Sequence, residues 1–82
     1  MLKNKLYAFY KEEYMELLRA TRTYKQARNE VKPYWYARVE CHTKTTETLA
    51  KIIKTSFVCG NIDLVELTQE AQREHDKVYN IR

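Results

Sequence analysis

One proline and one glycine, Pro33 and Gly60, are the only residues of their kinds in this 82-residue chain. Average usage would give a chain of this length about ten such residues. Tight β-hairpins need them in their turns, so their scarcity argues against an all-β fold. The two residues divide the chain into segments 1–32, 34–59 and 61–82, each long enough for one helix. The sequence therefore predicts an all-α fold of three helices.

The expected helices cover approximately 2–31, 34–59 and 63–80, within a single domain that spans 1–82. The end of the first helix is the least defined boundary, anywhere from Gln26 to Lys32, since the second half of this helix is polar. A domain of this size buries a small core, so a second copy of the chain or a bound partner would add stability.

Pro33 and Gly60 also suggest how the two corners between the helices are made. Proline is favoured at the first position of a helix, so Pro33 either ends the first helix or begins the second. Gly60 is expected to close the second helix, because glycine is common just after a helix C-terminus. Asp63, with Glu66 three residues later, is expected to begin the third helix with acidic side chains near its positive end.

Apolar side chains recur every three or four residues in each segment, as they do on the buried face of a helix. The first stripe, which Glu13 interrupts, consists of Leu6, Tyr10, Leu17, Ala20, Tyr24, Ala27 and Val31. The second consists of Trp35, Val39, His42, Thr46, Leu49, Ile53 and Phe57. The third, with Glu74 in its gap and His75 beside it, consists of Leu64, Leu67, Ala71, Val78 and Ile81.

Residues 34–42 are the ambiguous part of the chain. Their aromatic and β-branched content is typical of a strand, so a short extended segment is one interpretation. A helix is preferred, because a lone strand would have no partner in this chain. In that helix His42 lies in the middle of the stripe, either as a partly buried histidine with one hydrogen-bonded nitrogen or as an interface position. Substitution of His42, Leu49 or Ile53 is expected to disturb the structure.

The charge is mixed along the chain, with 15 Lys and Arg, 11 Asp and Glu and a net charge of +4. No run of 18 apolar residues and no secretory signal is present in the sequence, whose mean hydropathy is −0.72. We therefore expect a cytosolic protein with no membrane span, in which the two cysteines stay reduced.

No pattern of catalytic or metal-binding residues stands out. Cys41, His42, Cys59 and His75 are potential metal ligands, but no pair of them has the short spacing that structural zinc sites use. Adjacent residues of a helix point about 100° apart, so Cys41 and His42 do not form a catalytic dyad. The sequence predicts a protein that is not an enzyme and that needs no cofactor.

Aromatic side chains are concentrated before residue 37. Too many lie there for a small bundle to bury, and exposed Tyr and Trp are favoured anchors of protein interfaces. The alternative is that most of these rings pack in the core. The residues predicted to contact a partner are Tyr7, Tyr10, Tyr14, Tyr34, Trp35 and Tyr36.

The chain resembles a known phage family over its full length. The whole chain, from MLKNKLYAFYKEE through YWYARVECH to the C-terminus, resembles the lysis-inhibition accessory proteins of the T-even phages in its size, its composition and its general appearance. The resemblance implies a cytoplasmic antiholin, made in the infected bacterium, that binds the cytosolic N-terminal part of the phage holin and delays host lysis. It implies a location in the host cytoplasm, at the inner face of the inner membrane where the partner lies. It carries over no catalytic residue.

Two other functions stay open. The isoelectric point of about 9.1 and the spacing of Arg19, Arg22, Lys25 and Arg28 would suit a small phage protein that binds DNA or RNA or modifies host transcription. Nucleic acid is the less favoured partner, because the basic residues are spread at helical spacing rather than clustered. Inhibition of a host enzyme is the third function that the sequence allows.

Overall fold

A computed structural model describes residues 2–79, and all of their regular structure is helical. Helix α1 covers Leu2–Gln26, α2 covers Lys32–Ser56 and α3 covers Gly60–Tyr79. The all-α prediction is confirmed. The predicted end of the third helix at residue 80 lies outside the described residues.

The first corner begins at the early limit of the expected range. Helix α1 ends at Gln26, and the chain then turns through bonds from the Val31 and Lys32 backbone N–H groups to the Arg28 carbonyl oxygen. Helix α2 begins at Lys32 with Pro33 in its first turn, as its missing N–H favours. Residues 34–42 are helical throughout, so the extended alternative is wrong. Because this segment packs one face on α1, it needs no partner strand.

The second corner corrects the expected role of Gly60. Phe57, in an extended conformation, follows α2 and donates its N–H to the Ile53 carbonyl, and Gly60 is already the first residue of α3. Its backbone lies against α2, where a Cβ would collide with the Ile53 carbonyl oxygen and come within 3.0 Å of the Lys54 Cα. Glycine is required here for close packing of two helices and not to end one of them.

The helices run up, down and up. Contacts of Tyr7 with Phe57 and of Tyr24 with Tyr36 make α1 and α2 antiparallel. Contacts of Tyr7 with Asp63 and of Arg22 with Tyr79 make α1 and α3 parallel. The α1–α2 corner and the end of α3 therefore share one end of a bundle about 44 Å long.

The core contains Tyr10, Ile53 and Leu64, and the partly buried apolar side chains around it are Leu6, Tyr7, Tyr14, Leu49, Ala50, Phe57 and Leu67. Every member of the predicted α2 stripe is buried or half-buried. The α3 stripe is wrong at its end, because Val78 is 68% exposed and His75 is 4% exposed. Helix α3 turns its histidine and not its valine towards the other helices.

Candidate functional site

Three of the six aromatic candidates lie on α1 and pack within the bundle. Tyr10 is buried, and its hydroxyl lies 2.9 Å from the Thr68 hydroxyl. Tyr14 packs on the core, with its ring 6.1 Å from that of Tyr10. Tyr7 packs edge-to-face on Phe57 and donates its hydroxyl proton to the Asp63 carboxylate. These rings mainly join the helices to each other.

The environment of Tyr7 keeps its hydroxyl protonated, and therefore able to donate, up to a higher pH. Desolvation, followed by the hydrogen bond and the negative charge of Asp63, raises the pKa of Tyr7 to about 12. Lys3 lies 5.4 Å from the centre of the same ring and 4.0 Å from the Asp63 carboxylate. Tyr7 and Asp63 thus fasten the start of α1 to the start of α3.

The other three candidates lie at the beginning of α2 and present more surface. Tyr34 is 58% exposed and Tyr36 is 53% exposed, on opposite flanks of the helix, while Trp35 between them is half-buried. The Tyr34 and Trp35 rings meet edge-to-face with centres 5.3 Å apart. The Arg38 guanidinium lies about 6 Å from both ring centres, where the π-electrons attract its charge.

A shallow groove runs beside this aromatic pair. Its volume is about 210 Å³ and its walls are mainly apolar. We call it the α2 groove, and its lining residues are Tyr34, Ala37, Arg38, Cys41 and His42. Spacings of three and four residues place these side chains on one face of α2. Within residues 2–79 no carboxylate lies within 4 Å of the Arg38 guanidinium, so its charge is available to a bound group.

His42 closes the inner side of the α2 groove. Its Nδ1 lies 2.7 Å from the Glu13 Oε1 on α1, and both side chains are mostly buried. Because a carboxylate only accepts, Nδ1 carries the proton and donates it. The predicted hydrogen-bonded histidine is thus present, and its partner is the residue that interrupts the α1 stripe.

Leu49 and Ile53 lie further along α2, in and against the core. Ile53 is 0% exposed, and Leu49 packs against the buried cluster that contains it. Their place in the structure supports the expected sensitivity to substitution.

The four basic residues that suggested nucleic-acid binding have different surroundings. They are Arg19, Arg22, Lys25 and Arg28. Arg19 pairs with Glu16 on its own helix, and the Arg22 guanidinium lies 4.0 Å from the centre of the Tyr79 ring. Lys25 and Arg28 are exposed.

The potential metal ligands are not brought together. Over residues 2–79, no three His, Cys, Asp or Glu side chains lie close enough to hold an ion. Cys41 and Cys59 are exposed free thiols.

Sequence reasoning did not place Arg38 beside the aromatic pair and did not predict that His75 is buried. Arg38 follows Tyr34 by four residues, which could have placed it beside the aromatic pair. His75 is buried beside Tyr79, with ring centres 4.8 Å apart, and its Nδ1 lies 3.2 Å from the Asp76 carboxylate. In the sequence, the adjacent Asp76 is only a weak indication that His75 pairs with a carboxylate.

No helix within residues 2–79 combines the length and the apolar character needed to cross a membrane. Comparison of the chain with models of protein families, with curated proteins and with solved structures finds no match.

Proposed function

We propose that this chain is a cytoplasmic antiholin, which binds the cytosolic N-terminal segment of a phage holin and so delays host lysis. The α2 groove is the surface that carries the proposal. It joins an exposed tyrosine, an arginine that pairs with no carboxylate of residues 2–79 and mainly apolar walls. Tyr and Arg are frequent anchors of protein interfaces. The full-length resemblance to the antiholins of the T-even phages supplies the identity of the partner.

The mechanism is binding alone. An apolar side chain of the holin segment fills the α2 groove, and a polar or acidic group beside it pairs with Arg38. A partner that binds one state of a protein raises the population of that state by mass action. Holin molecules held in this way are withdrawn from assembly, so the onset of lysis is delayed. Acting in the host cytoplasm, the chain would reach the inner face of the membrane through its partner.

The test is a titration of the full chain with a synthetic peptide that has the sequence of the cytosolic N-terminal segment of a T-even holin. Trp35, the only tryptophan, adjoins the groove and reports binding by its fluorescence. Ala37→Glu places a charge in the groove, and Tyr34→Ala removes its largest wall. Each is expected to weaken binding by roughly tenfold or more, as loss of an interface anchor does.

Tyr36→Ala is the matched control. It removes a similarly exposed tyrosine from the same turn but on the other flank of α2. The peptide should bind this variant in solution as it binds the unchanged chain. The proposal is overturned if the peptide does not bind at tens of micromolar, or if Tyr36→Ala weakens binding as much as the groove variants.

Nucleic-acid binding has weaker support. Arg19 and Arg22 are engaged within the molecule, which leaves two exposed cations of the four. Since non-specific binding to nucleic acid is mostly electrostatic, an absence of binding to single- or double-stranded oligonucleotides at low salt would remove this alternative.

A further inference from the structure

The positive charge of this chain is concentrated at one end of the bundle. Residues 19–38 contain six Lys and Arg but only one carboxylate, Glu30, and so carry a formal charge of +5, whereas the whole chain carries +4. Helix α3 has the opposite character, with five carboxylates and two cations between residues 60 and 79. The end that contains the α1–α2 corner is therefore positive towards any approaching surface.

The outermost residues of that end combine cations with apolar and aromatic surface. We call them the corner tip, and they are Lys25, Arg28, Val31, Lys32 and Tyr36. All of them except Lys32 are exposed. The exposed carboxylate of Glu30 lies in the same turn and lowers the formal charge of this end from +3 to +2. Lys32 bends back over the end of α1, with its Nζ 2.8 Å from the Tyr24 carbonyl oxygen and 4.6 Å from the centre of the Tyr24 ring. Among residues 2–79, neither Lys25 nor Arg28 has a carboxylate within 4 Å.

We infer that the corner tip binds the surface of an anionic lipid membrane. Anionic headgroups attract basic residues that lie within a Debye length of them, about 8 Å at physiological salt. Tyrosine is enriched at the level of the headgroups because its ring is apolar and its hydroxyl is polar. Val31 lies between Arg28 and Lys32 in the chain, and Tyr36 follows Lys32 by about one helical turn. Both are exposed and can meet the headgroup layer without any change of fold.

The arrangement of the rings favours lipid over single-stranded nucleic acid as the anionic partner. Stacking of bases requires open ring faces. Here Lys32 covers a face of Tyr24, and the Tyr36 ring meets the Tyr24 ring at a tilt of 54° with their centres 6.0 Å apart. The hydroxyl groups and ring edges that remain suit a headgroup layer better than a row of bases.

The inference does not depend on the holin, because the tip lies on the other flank of α2 from Tyr34 in the α2 groove. It is tested by co-sedimentation of the full chain with vesicles that contain no protein. Vesicles of about 30% phosphatidylglycerol in phosphatidylcholine are compared with vesicles of phosphatidylcholine alone. The chain is expected to bind the anionic vesicles only, and to be released at about 0.5 M salt, where the Debye length is short.

Two double variants with equal changes of charge locate the binding surface. Lys25→Gln/Arg28→Gln removes two exposed cations from the tip, and Lys51→Gln/Lys54→Gln removes two exposed cations from the far half of α2. At about fivefold for each cation near the surface, the tip variant should bind roughly 25-fold more weakly. The control variant should bind almost as well as the unchanged chain, and circular dichroism confirms that both variants remain helical.

Three outcomes overturn the inference: no binding to anionic vesicles, equal losses in the two double variants, or a single-stranded oligonucleotide that binds the tip more tightly than the vesicles do. The holin peptide should bind the Lys25→Gln/Arg28→Gln variant normally in the absence of vesicles. The experiments therefore distinguish a failure of the membrane-binding inference from a failure of the proposed holin binding.

Discussion

Glu13 of α1 and His42 of α2 meet across the helix interface, with Oε1 2.7 Å from Nδ1. Each is a polar residue within the apolar stripe of its own helix. Both side chains are mostly shielded from water. Each therefore gives the other a hydrogen bond in place of the one to water that it loses on folding. The pair also restricts the register of the two helices, because sliding one helix by a turn would separate the two groups.

Removing one member of the pair should cost more than removing both. His42→Leu leaves the Glu13 carboxylate without its donor, and we expect a loss of about 1–3 kcal/mol in the free energy of unfolding. Glu13→Leu/His42→Leu should recover much of that loss, since two apolar side chains can pack where the polar pair lay. Urea denaturation of the two single variants and the double variant measures the coupling. Single effects that simply add would contradict an energetic pairing.

Gly60→Ala should destabilise the protein by about 1–3 kcal/mol, although alanine is the better helix former. The added Cβ would collide with the backbone of Ile53, which cannot move aside as a side chain can. Asn61→Ala, at the exposed next position, should change the stability by less than about 0.5 kcal/mol. Equal thermal midpoints for the two variants would mean that α2 and α3 do not pack so closely.

Adjacent isoleucines of α2 should respond very differently to truncation. Ile53→Ala should cost about 2–5 kcal/mol, because the side chain is fully buried, whereas Ile52→Ala should cost less than about 1 kcal/mol. Ile53→Asp and Leu49→Asp should unfold the domain by burying a charge, and Ile52→Asp should leave it folded. Far-UV circular dichroism separates these outcomes, and a folded Ile53→Asp would show that α2 is rotated from its described orientation.

The stability should fall at alkaline pH, in part through Tyr7. Its pKa is raised from 10.0 to about 12 in the folded chain, so the stabilisation is complete below pH 10 and is lost as the pH rises towards 12. The raised pKa of Lys11, caused first by its hydrogen bond to Glu74, acts in the same direction. Urea midpoints measured across this range should fall less steeply for Tyr7→Phe.

Tyr34→Phe, which alters an exposed tyrosine of the same type, is the control for this titration. It should keep the steep alkaline fall of the unchanged chain. A Tyr7→Phe variant that falls just as steeply would show that the Tyr7 hydroxyl does not donate to Asp63 in solution.

The sequence predicted much of this structure because helical periodicity depends on local spacing. The α2 stripe from Trp35 to Phe57 is buried or half-buried at each of its positions. The same spacing revealed Glu13 and His42 as polar interruptions. It could not pair them, since that pairing depends on how two helices cross.

The predictions that were wrong also depend on how one helix packs against another. Gly60 follows a helix-length segment, where a glycine that ends a helix would also lie. Only the close approach of α2 to α3 shows that glycine is needed there because it has no side chain. Val78 and His75 both lie at plausible spacings from Ala71. Their exposure depends on the rotation of α3, and His75 is turned inwards, with its ring beside that of Tyr79. The α2 groove was only partly predicted, because Arg38 was not expected beside the rings.

Helix α3 joins the apolar core through Leu64 and the partly buried Leu67, and its other contacts with α1 include several polar side chains. Its buried positions are Gly60, Leu64, Ala71 and His75, of which only Leu64 has a large apolar side chain. Tyr7, Tyr10 and Lys11 of α1 bond to it by their terminal hydroxyl or ammonium groups. Such a helix can detach while the antiparallel pair α1 and α2 stays folded, so its backbone amides should exchange with deuterium through a partial opening of low free energy.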